Sequence, residues 1–166
     1  MDFYYKMIAD GSFCILGYKG HDVHVTIPDN MNFTVLSDNI FKGRTEIESV
    51  SIPESVTQIG GFVFDGCTGL KSIKVPPYLQ DMWQYAFTRT SIEEIEIPGT
   101  VNKIIPFTFN DSKALRKVVL NEGTTELCAW AFKGCSALEE VYLPSTLKII
   151  SDKAFEGCGE IEFHRA

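Results

Sequence analysis

The chain has 166 residues, of which 45% are hydrophobic and 22% are charged, and its formal net charge is −7 at pH 7. This composition is typical of one globular domain and excludes a disordered chain. Proteins that neutralise phosphates need a basic surface, so the acidic balance argues against nucleic acid as a partner. No apolar stretch reaches the roughly 20 residues of a membrane-spanning helix, so we expect no membrane insertion.

The sequence repeats itself with a period of about 23 residues. Its clearest mark is a phenylalanine, and successive copies lie 23, 23, 22, 23 and 23 residues apart. The copies are Phe41, Phe64, Phe87, Phe109, Phe132 and Phe155. An apolar residue stands five positions before each copy, and another follows five or six positions after the first five copies. A fixed period of this length is typical of a solenoid of stacked units.

Each unit is predicted to contain one strand and one return segment. The strands alternate apolar with polar residues, as at Ile73 and Val75 or at Val141 and Leu143, so one face of each points into the core. Proline ends most of them because it has no N–H to donate, and Pro28 marks an earlier strand of this kind. The return segments space their apolar residues as one or two helical turns would.

The position that closes each return segment is expected to have a left-handed backbone. It is glycine in four units: Gly43, Gly66, Gly134 and Gly157. Asp111 is tolerable in this conformation, whereas Arg89 is not ideal and its unit is one residue shorter. We therefore expect the turn at Arg89 to be built differently.

The residue pattern of the repeat resembles that of a known family. The pattern L-x-x-I-x-I-P-x-x-V-x-x-I-G-x-x-A-F-x-G-C is very similar to the BspA-type leucine-rich repeat, and the segments LKSIKVPPYLQDMWQYAF and LEEVYLPSTLKIISDKAF follow it. The likeness covers roughly residues 4–163. An Asp10-Gly11 turn followed by FCILGYKG and VTIP is similar to the usual entry to that family, which implies an N-terminal β-hairpin cap.

The predicted fold is therefore an α/β solenoid, a right-handed leucine-rich repeat superhelix of about six coils of 23 residues. A parallel sheet is expected on one face and short helical or 3-10 turns on the other, because stacked coils bury the apolar columns that a single unit leaves exposed. We predict a β cap over residues 1–26 and the solenoid over residues 27–166, within one structural domain.

No residue pattern indicates catalysis, a cofactor or a metal ion. Cys67, Cys135 and Cys158 share one column with Thr90 and Ser112, so this slot selects a small side chain and the thiols are expected to be buried and unreactive. Cys135 and Cys158 should lie on adjacent coils, where a disulfide is allowed but not required. The three histidines lack the spacing of metal ligands. We expect the chain not to be an enzyme.

The first candidate binding surface is the outward side of the predicted sheet, here called the sheet face. It comprises Ser49, Ser51, Ser72, Lys74, Glu94, Glu96, Lys117, Val119, Glu140 and Tyr142. A rigid grid of side chains loses little conformational entropy when a partner binds, and the resemblance implies protein binding through this face. The alternative is an ordinary solvated surface.

The second candidate, the aromatic ridge, is a column of rings two residues before the core phenylalanines. It consists of Phe62, Tyr85, Phe107 and Trp130, with Trp83 and Ile105 beside it. A contiguous exposed apolar patch usually marks an interaction site, whereas stacked and half-buried rings would have only a structural role. At the C-terminal edge Ile161 and Phe163 would end the core without a further coil, so this edge and the ridge are candidate surfaces for a homo-oligomer.

The expected function is non-catalytic protein binding. The resemblance implies a bacterial surface adhesin that binds a host or matrix protein, and hence a cell-surface or secreted location. The first residues lack the pattern of a secretion signal, and this favours an intracellular interaction scaffold in the cytoplasm as an alternative. A glycan-binding domain, using exposed aromatic residues such as Tyr142 or the ridge, is a third hypothesis.

Overall fold

A computed structural model describes residues 1–166, and it shows a parallel solenoid of about seven turns with a spacing of about 23 residues. The chain forms fourteen strands and no helix, so no helix is available to cross a membrane. The strands are β1 (Phe3–Met7), β2 (Phe13–Tyr18), β3 (His24–Thr26), β4 (Phe33–Leu36), β5 (Ser49–Ser51), β6 (Gln58–Ile59), β7 (Asp81–Met82), β8 (Glu94–Ile97), β9 (Lys103–Ile104), β10 (Lys117–Leu120), β11 (Glu126–Leu127), β12 (Glu140–Leu143), β13 (Ile149–Ile150) and β14 (Glu162–Arg165).

The coils present strands on two sides of the solenoid. On the sheet-face side β3 pairs with β5, and β8, β10, β12 and β14 form a four-stranded sheet, with every pairing parallel. On the other side the two-residue strands β9, β11 and β13 form one parallel sheet, and β4, β6 and β7 extend a second one. The predicted parallel stacking of coils is confirmed, whereas the right-handed winding stays a prediction.

The N-terminal end of the stack is covered by a hairpin. Strand β1 pairs antiparallel with β2, and β2 pairs parallel with β4 of the first coil. The Phe3 and Tyr18 rings lie 4.8 Å apart, and Tyr18 meets the first core ring, Phe41, edge-on at 5.6 Å. The boundary between residues 26 and 27 stays a prediction; β3 ends at Thr26 and pairs with β5.

The phenylalanine column lies in the middle of the core, as predicted. Its first five rings are at most 1% exposed. Adjacent ring centroids are 5.0–5.6 Å apart and the ring planes differ by no more than 21°. Burying each ring contributes roughly 1.5–3 kcal/mol, so this column is a continuous part of the core that runs through all the coils.

The predicted helical or 3-10 turns of the return segments are wrong, because these segments consist of successive turns. A helical N–H donates back along its own chain, but here alternate N–H groups donate to the next coil. Phe107 N–H donates to the Trp130 carbonyl and Phe109 N–H to that of Ala131, each at 3.0 Å. The intervening N–H groups donate three residues back, as Asn110 does to the Phe107 carbonyl at 3.2 Å, so each segment is a series of separate turns and not a continuous helix.

The turn at Arg89 differs from its counterparts in hydrogen bonding, as expected, but not in backbone conformation. Cys67 and Ser112 N–H donate to the carbonyl three residues back, whereas Thr90 N–H does not, and Ile92 N–H donates to the Thr90 hydroxyl instead. Arg89 and Asp111 have φ angles of 54° and 55°, in the same left-handed region as the glycines of their column. The Arg89 guanidinium donates to both carboxylate oxygens of Asp65 on the preceding coil, with distances of 2.7–3.0 Å. Asp65 is 3% exposed. This ion pair holds an arginine in a conformation that favours glycine.

The strand predicted around Ile73 and Val75 does not form a ladder. The unit that contains these residues is the only one without a strand on the sheet-face side. The missing strand separates the pair β3–β5 from the four-stranded sheet. The return that leads to the next strand, between Phe87 and Ile92, is one residue shorter than its counterparts. The ladder is therefore interrupted next to the one irregular interval of the repeat.

Candidate functional site

The ten predicted sheet-face side chains all lie on the outside of the solenoid. Ser51, Ser72, Lys74, Glu94 and Glu96 are exposed, and the other five are half-buried. Their strand neighbours Val118 and Val141 are fully buried, because successive residues of a strand point to opposite sides. Register aligns these side chains from coil to coil, so that Glu94, Lys117 and Glu140 stand in one row.

The C-terminal half of the sheet face is held in place by its own contacts. The Tyr142 ring stacks on His164 with centroids 4.3 Å apart, and Lys117 Nζ lies 5.3 Å from the same ring. The Tyr142 hydroxyl donates to Glu140 at 3.0 Å. This hydrogen bond, with burial as a smaller cause, raises the pKa of Tyr142. These contacts pre-organise the surface and so lower the entropic cost of binding.

His164 is a sheet-face residue that the sequence analysis missed. Its Nε2 lies 3.5 Å from Glu140 and 3.8 Å from Glu162. The alternation that pointed Ile161 and Phe163 inward also placed His164 outward, so the signal was present in the sequence. The last strand therefore extends the sheet face by one coil.

The sheet face carries an excess of negative charge. The sheet face and its extension on the last strand carry four glutamates, at positions 94, 96, 140 and 162, but only two lysines, Lys74 and Lys117. Arg116 at its margin lies 3.6 Å from both Glu93 and Glu94 and neutralises part of this charge. No group of three or more His, Cys, Asp or Glu side chains is placed to hold a metal ion.

The aromatic ridge exists as a continuous stack. Its four rings have centroids 4.8, 5.2 and 5.6 Å apart and planes within 14° of parallel. A lysine closes each end, since Lys42 Nζ lies 4.5 Å from the Phe62 ring and Lys153 Nζ 5.6 Å from the Trp130 ring. All four residues are half-buried, which is the arrangement expected of the structural alternative.

The ridge residues have an unusual backbone. Phe62, Tyr85, Phe107 and Trp130 have φ angles of 59–66°, in the left-handed region. Such a conformation costs about 1–3 kcal/mol for a residue with a large side chain, whereas each aromatic pair contributes about 0.5–1.5 kcal/mol beyond its buried area. The two quantities are similar, so ring stacking mainly offsets the backbone cost.

Trp83 and Ile105 do not extend the ridge as expected. Trp83 is 50% exposed and has no stacking partner, and Ile105 is half-buried beside it. Both residues instead line an open groove of about 850 Å³ next to the start of the ridge.

The cysteine column has a structural role in the fold. Cys67, Cys135 and Cys158 donate from sulfur to the carbonyls of Phe41, Phe109 and Phe132, at 3.0–3.1 Å. Ser112 donates to the Phe87 carbonyl in the same way, at 2.7 Å. Four of the five side chains in this slot therefore donate to the preceding coil, whereas the Thr90 hydroxyl accepts a hydrogen bond from Ile92 N–H. All five cysteines are free thiols.

The C-terminal edge exposes apolar residues. Ile149, Ile150 and Phe163 are 57%, 37% and 46% exposed. Phe163 lies in register with the buried Val141 and meets Phe155 edge-on at 5.3 Å. The side chain thus points toward the core, as predicted, but no later coil covers it. Self-association through this edge stays a prediction.

A parallel solenoid of 23-residue coils, with an outward grid of side chains in register, is the architecture of a repeat protein. The chain belongs to the BspA-type leucine-rich repeat family, whose model matches six copies of the repeat over residues 34–162. No curated protein matches the sequence.

Solved structures of bacterial leucine-rich repeat proteins have the same fold. The protein of T. pallidum is 25% identical, with a TM-score of 0.81, and the alignment covers 98% of this chain and 83% of that one. One from Bacteroides ovatus ATCC 8483 is 26% identical, with a TM-score of 0.69 and coverages of 99% and 52%. A leucine-rich cell surface protein from Faecalibacterium prausnitzii A2-165 is 22% identical, with a TM-score of 0.69 and coverages of 98% and 53%, and shows the fold alone. The chain spans about half the length of the last two proteins.

Proposed function

We propose that the chain is a non-catalytic protein-binding module that binds its partner through the sheet face. The observation that supports this proposal is the register of the strands, which fixes the outward side chains in rows on a rigid scaffold. Functional residues on rigid elements hold their geometry before binding and lose little entropy on binding. Membership of a leucine-rich repeat family is consistent with this role.

The proposed partner presents a basic surface. The exposed carboxylates of Glu94 and Glu96 lie at the centre of the sheet face, and the chain as a whole carries a formal charge of −7. Complementary charge raises the association rate and orients the partner, and salt screens it. The adhesin hypothesis supplies the class of partner to test, a host or matrix protein.

The experiment measures binding of the purified chain to immobilised fibronectin, laminin and collagen by surface plasmon resonance. Wild type is expected to bind at least one of them, more weakly at high salt. Glu94→Lys with Glu96→Lys should weaken that binding by about tenfold or more, since close like charges oppose association. The matched control, Asp81→Lys with Asp152→Lys, makes the same charge change at exposed positions off the sheet face and should retain binding. Absence of wild-type binding, or equal loss in both variants, would refute the proposal.

The aromatic ridge is a second candidate contact surface, for self-association. Four stacked rings on successive coils form a contiguous apolar strip, although all four residues are half-buried. If the ridge mediates self-association, Phe107→Ser with Trp130→Ser lowers the weight-average mass in sedimentation equilibrium. The control Tyr78→Ser removes a 63% exposed ring elsewhere and leaves the mass unchanged. An unchanged mass in the ridge variant excludes this role.

A further inference from the structure

The groove beside the ridge is opened by two adjacent glycines. Its floor is the backbone of Gly60 and Gly61, and its walls are Asp38 on the preceding coil and Trp83 with Gln84 on the following one. The two walls are two coils apart, about 9.6 Å at the usual strand spacing. The groove has an opening to solvent and a volume of about 850 Å³, within the range of small-ligand sites.

Glycine at position 61 is not demanded by the repeat. Three residues before the core phenylalanine, the other coils carry Asp38, Gln84, Pro106, Ala129 and Asp152. A Cβ at Gly61 would lie 3.3 Å from the Gln84 carbonyl oxygen, a tight contact that a small shift relieves. The backbone at this position does not have a left-handed φ. The fold therefore tolerates a side chain here, and the glycine keeps the groove open.

Asp38 is held in a fixed position in the groove. Its Oδ1 accepts a hydrogen bond from Gly61 N–H at 2.8 Å. A Cβ on Gly60 would lie 2.6 Å from the same oxygen and 2.8 Å from both the Asp38 nitrogen and the Leu36 carbonyl oxygen, so the preceding coil requires glycine at position 60. The second oxygen, Oδ2, has no protein partner and remains an acceptor for a ligand.

The other lining groups supply one apolar platform and several uncharged polar contacts. The Trp83 indole is half exposed and separates this groove from a smaller one on its far side. Ser37, Gln58 and Gln84 line the groove, and their hydroxyl and amide groups both donate and accept hydrogen bonds. No lysine or arginine lines it, so the groove offers nothing to neutralise an anion.

We propose that this groove binds one or two pyranose units of a neutral glycan. A pyranose ring has an apolar face of C–H groups, which would pack on the Trp83 indole, and an edge of hydroxyls, which would donate to Asp38 and exchange hydrogen bonds with Gln58 and Gln84. An organic cation would also suit an indole and a carboxylate, but it could not use the paired donors and acceptors of the two amides. The site is separate from the sheet face, so it would act independently of protein binding there.

The test uses the full chain with Trp130→Phe, so that Trp83 is the only tryptophan and its fluorescence reports on the groove. This protein, carrying a fluorescent label, is first applied to an array of neutral glycans. The glycan that binds best is then titrated into unlabelled protein while the Trp83 emission is recorded. A saturable change with a Kd of about 1 mM or tighter is expected. Tetramethylammonium chloride is titrated in the same way, to test the competing hypothesis that the groove binds an organic cation.

Two variants in this background place the site. Gly61→Gln fills the groove, and its control, Ala129→Gln, puts the same side chain in the same column on another coil. Gly61→Gln should weaken glycan binding by at least about tenfold, and the control by less than about twofold. Trp83→Ala, followed by calorimetry, should also remove binding. No glycan hit, a response to tetramethylammonium alone, or equal binding by Gly61→Gln would each overturn the proposal.

Discussion

Two columns of aromatic rings run along this solenoid, and they differ in what surrounds them. The inner column of core phenylalanines and the outer aromatic ridge have similar centroid spacings, 5.0–5.6 Å and 4.8–5.6 Å. The first five inner rings are almost completely buried, and no residue of the inner column has a left-handed φ, whereas the ridge is half exposed and left-handed throughout. Equal stacking geometry therefore does not imply equal stability.

Burial and backbone conformation separate the two columns energetically. An inner ring is buried among the aliphatic columns on a relaxed backbone, so its whole burial contributes to folding. A ridge ring buries less area and carries a conformational cost that its stacking offsets. The inner column should thus be sensitive to truncation, and the ridge should tolerate change.

The largest effect is expected for Phe109→Ala, in the middle of the inner column. The Phe109 ring is 1% exposed and stacks on rings 5.3 and 5.0 Å away on either side. Its removal leaves a cavity and should lower the free energy of unfolding by about 3–5 kcal/mol. Urea unfolding followed by circular dichroism measures the loss, with Phe109→Leu as the milder control. A loss below about 1 kcal/mol would show that this column does not hold the coils together.

A pH effect of intermediate size tests burial beside the inner column. Burial is the main cause that raises the pKa of Cys67 from 9.0 to about 12. The thiol then ionises more readily in the unfolded chain, so stability is full below pH 9 and falls as pH rises toward 12. Between pH 8 and pH 10 the wild type should lose about 1.4 kcal/mol more than Cys67→Ser, which has no thiol to titrate. Equal losses in the two proteins would mean that Cys67 is accessible to water.

At a ridge position, a glycine variant should be more stable than an alanine variant, which is the reverse of the usual order. Phe107→Ala removes the ring but keeps the left-handed cost, whereas Phe107→Gly removes both. The glycine variant should therefore be more stable than the alanine variant by about 1 kcal/mol. Thermal unfolding of the pair measures the difference, and neither variant should approach the loss in Phe109→Ala. A more stable alanine variant would contradict the account of the ridge backbone.

The sequence revealed those features that are repeated in every coil. The phenylalanine spacing located the core, and the alternation in segments such as EVYL located the outward positions, because both signals depend on the residue itself. Hydrogen bonds between coils are set by backbone positions 22 or 23 residues apart, so the local spacing in CAWAFKG wrongly suggested a helical turn. The pairing of Arg89 with Asp65 is likewise a contact between coils, and the groove depends on glycines at one place only.

The central claim is that coil packing carries stability while the sheet face remains free for recognition. It is tested most directly by measuring unfolding and matrix-protein binding on the same sample of the Glu94→Lys, Glu96→Lys variant. The account predicts a free energy of unfolding within about 1 kcal/mol of wild type, because only the exposed Glu94–Arg116 ion pair and the Glu96–Asn121 hydrogen bond are lost, together with a loss of binding. Unchanged binding, or a stability loss comparable to that of Phe109→Ala, would contradict it.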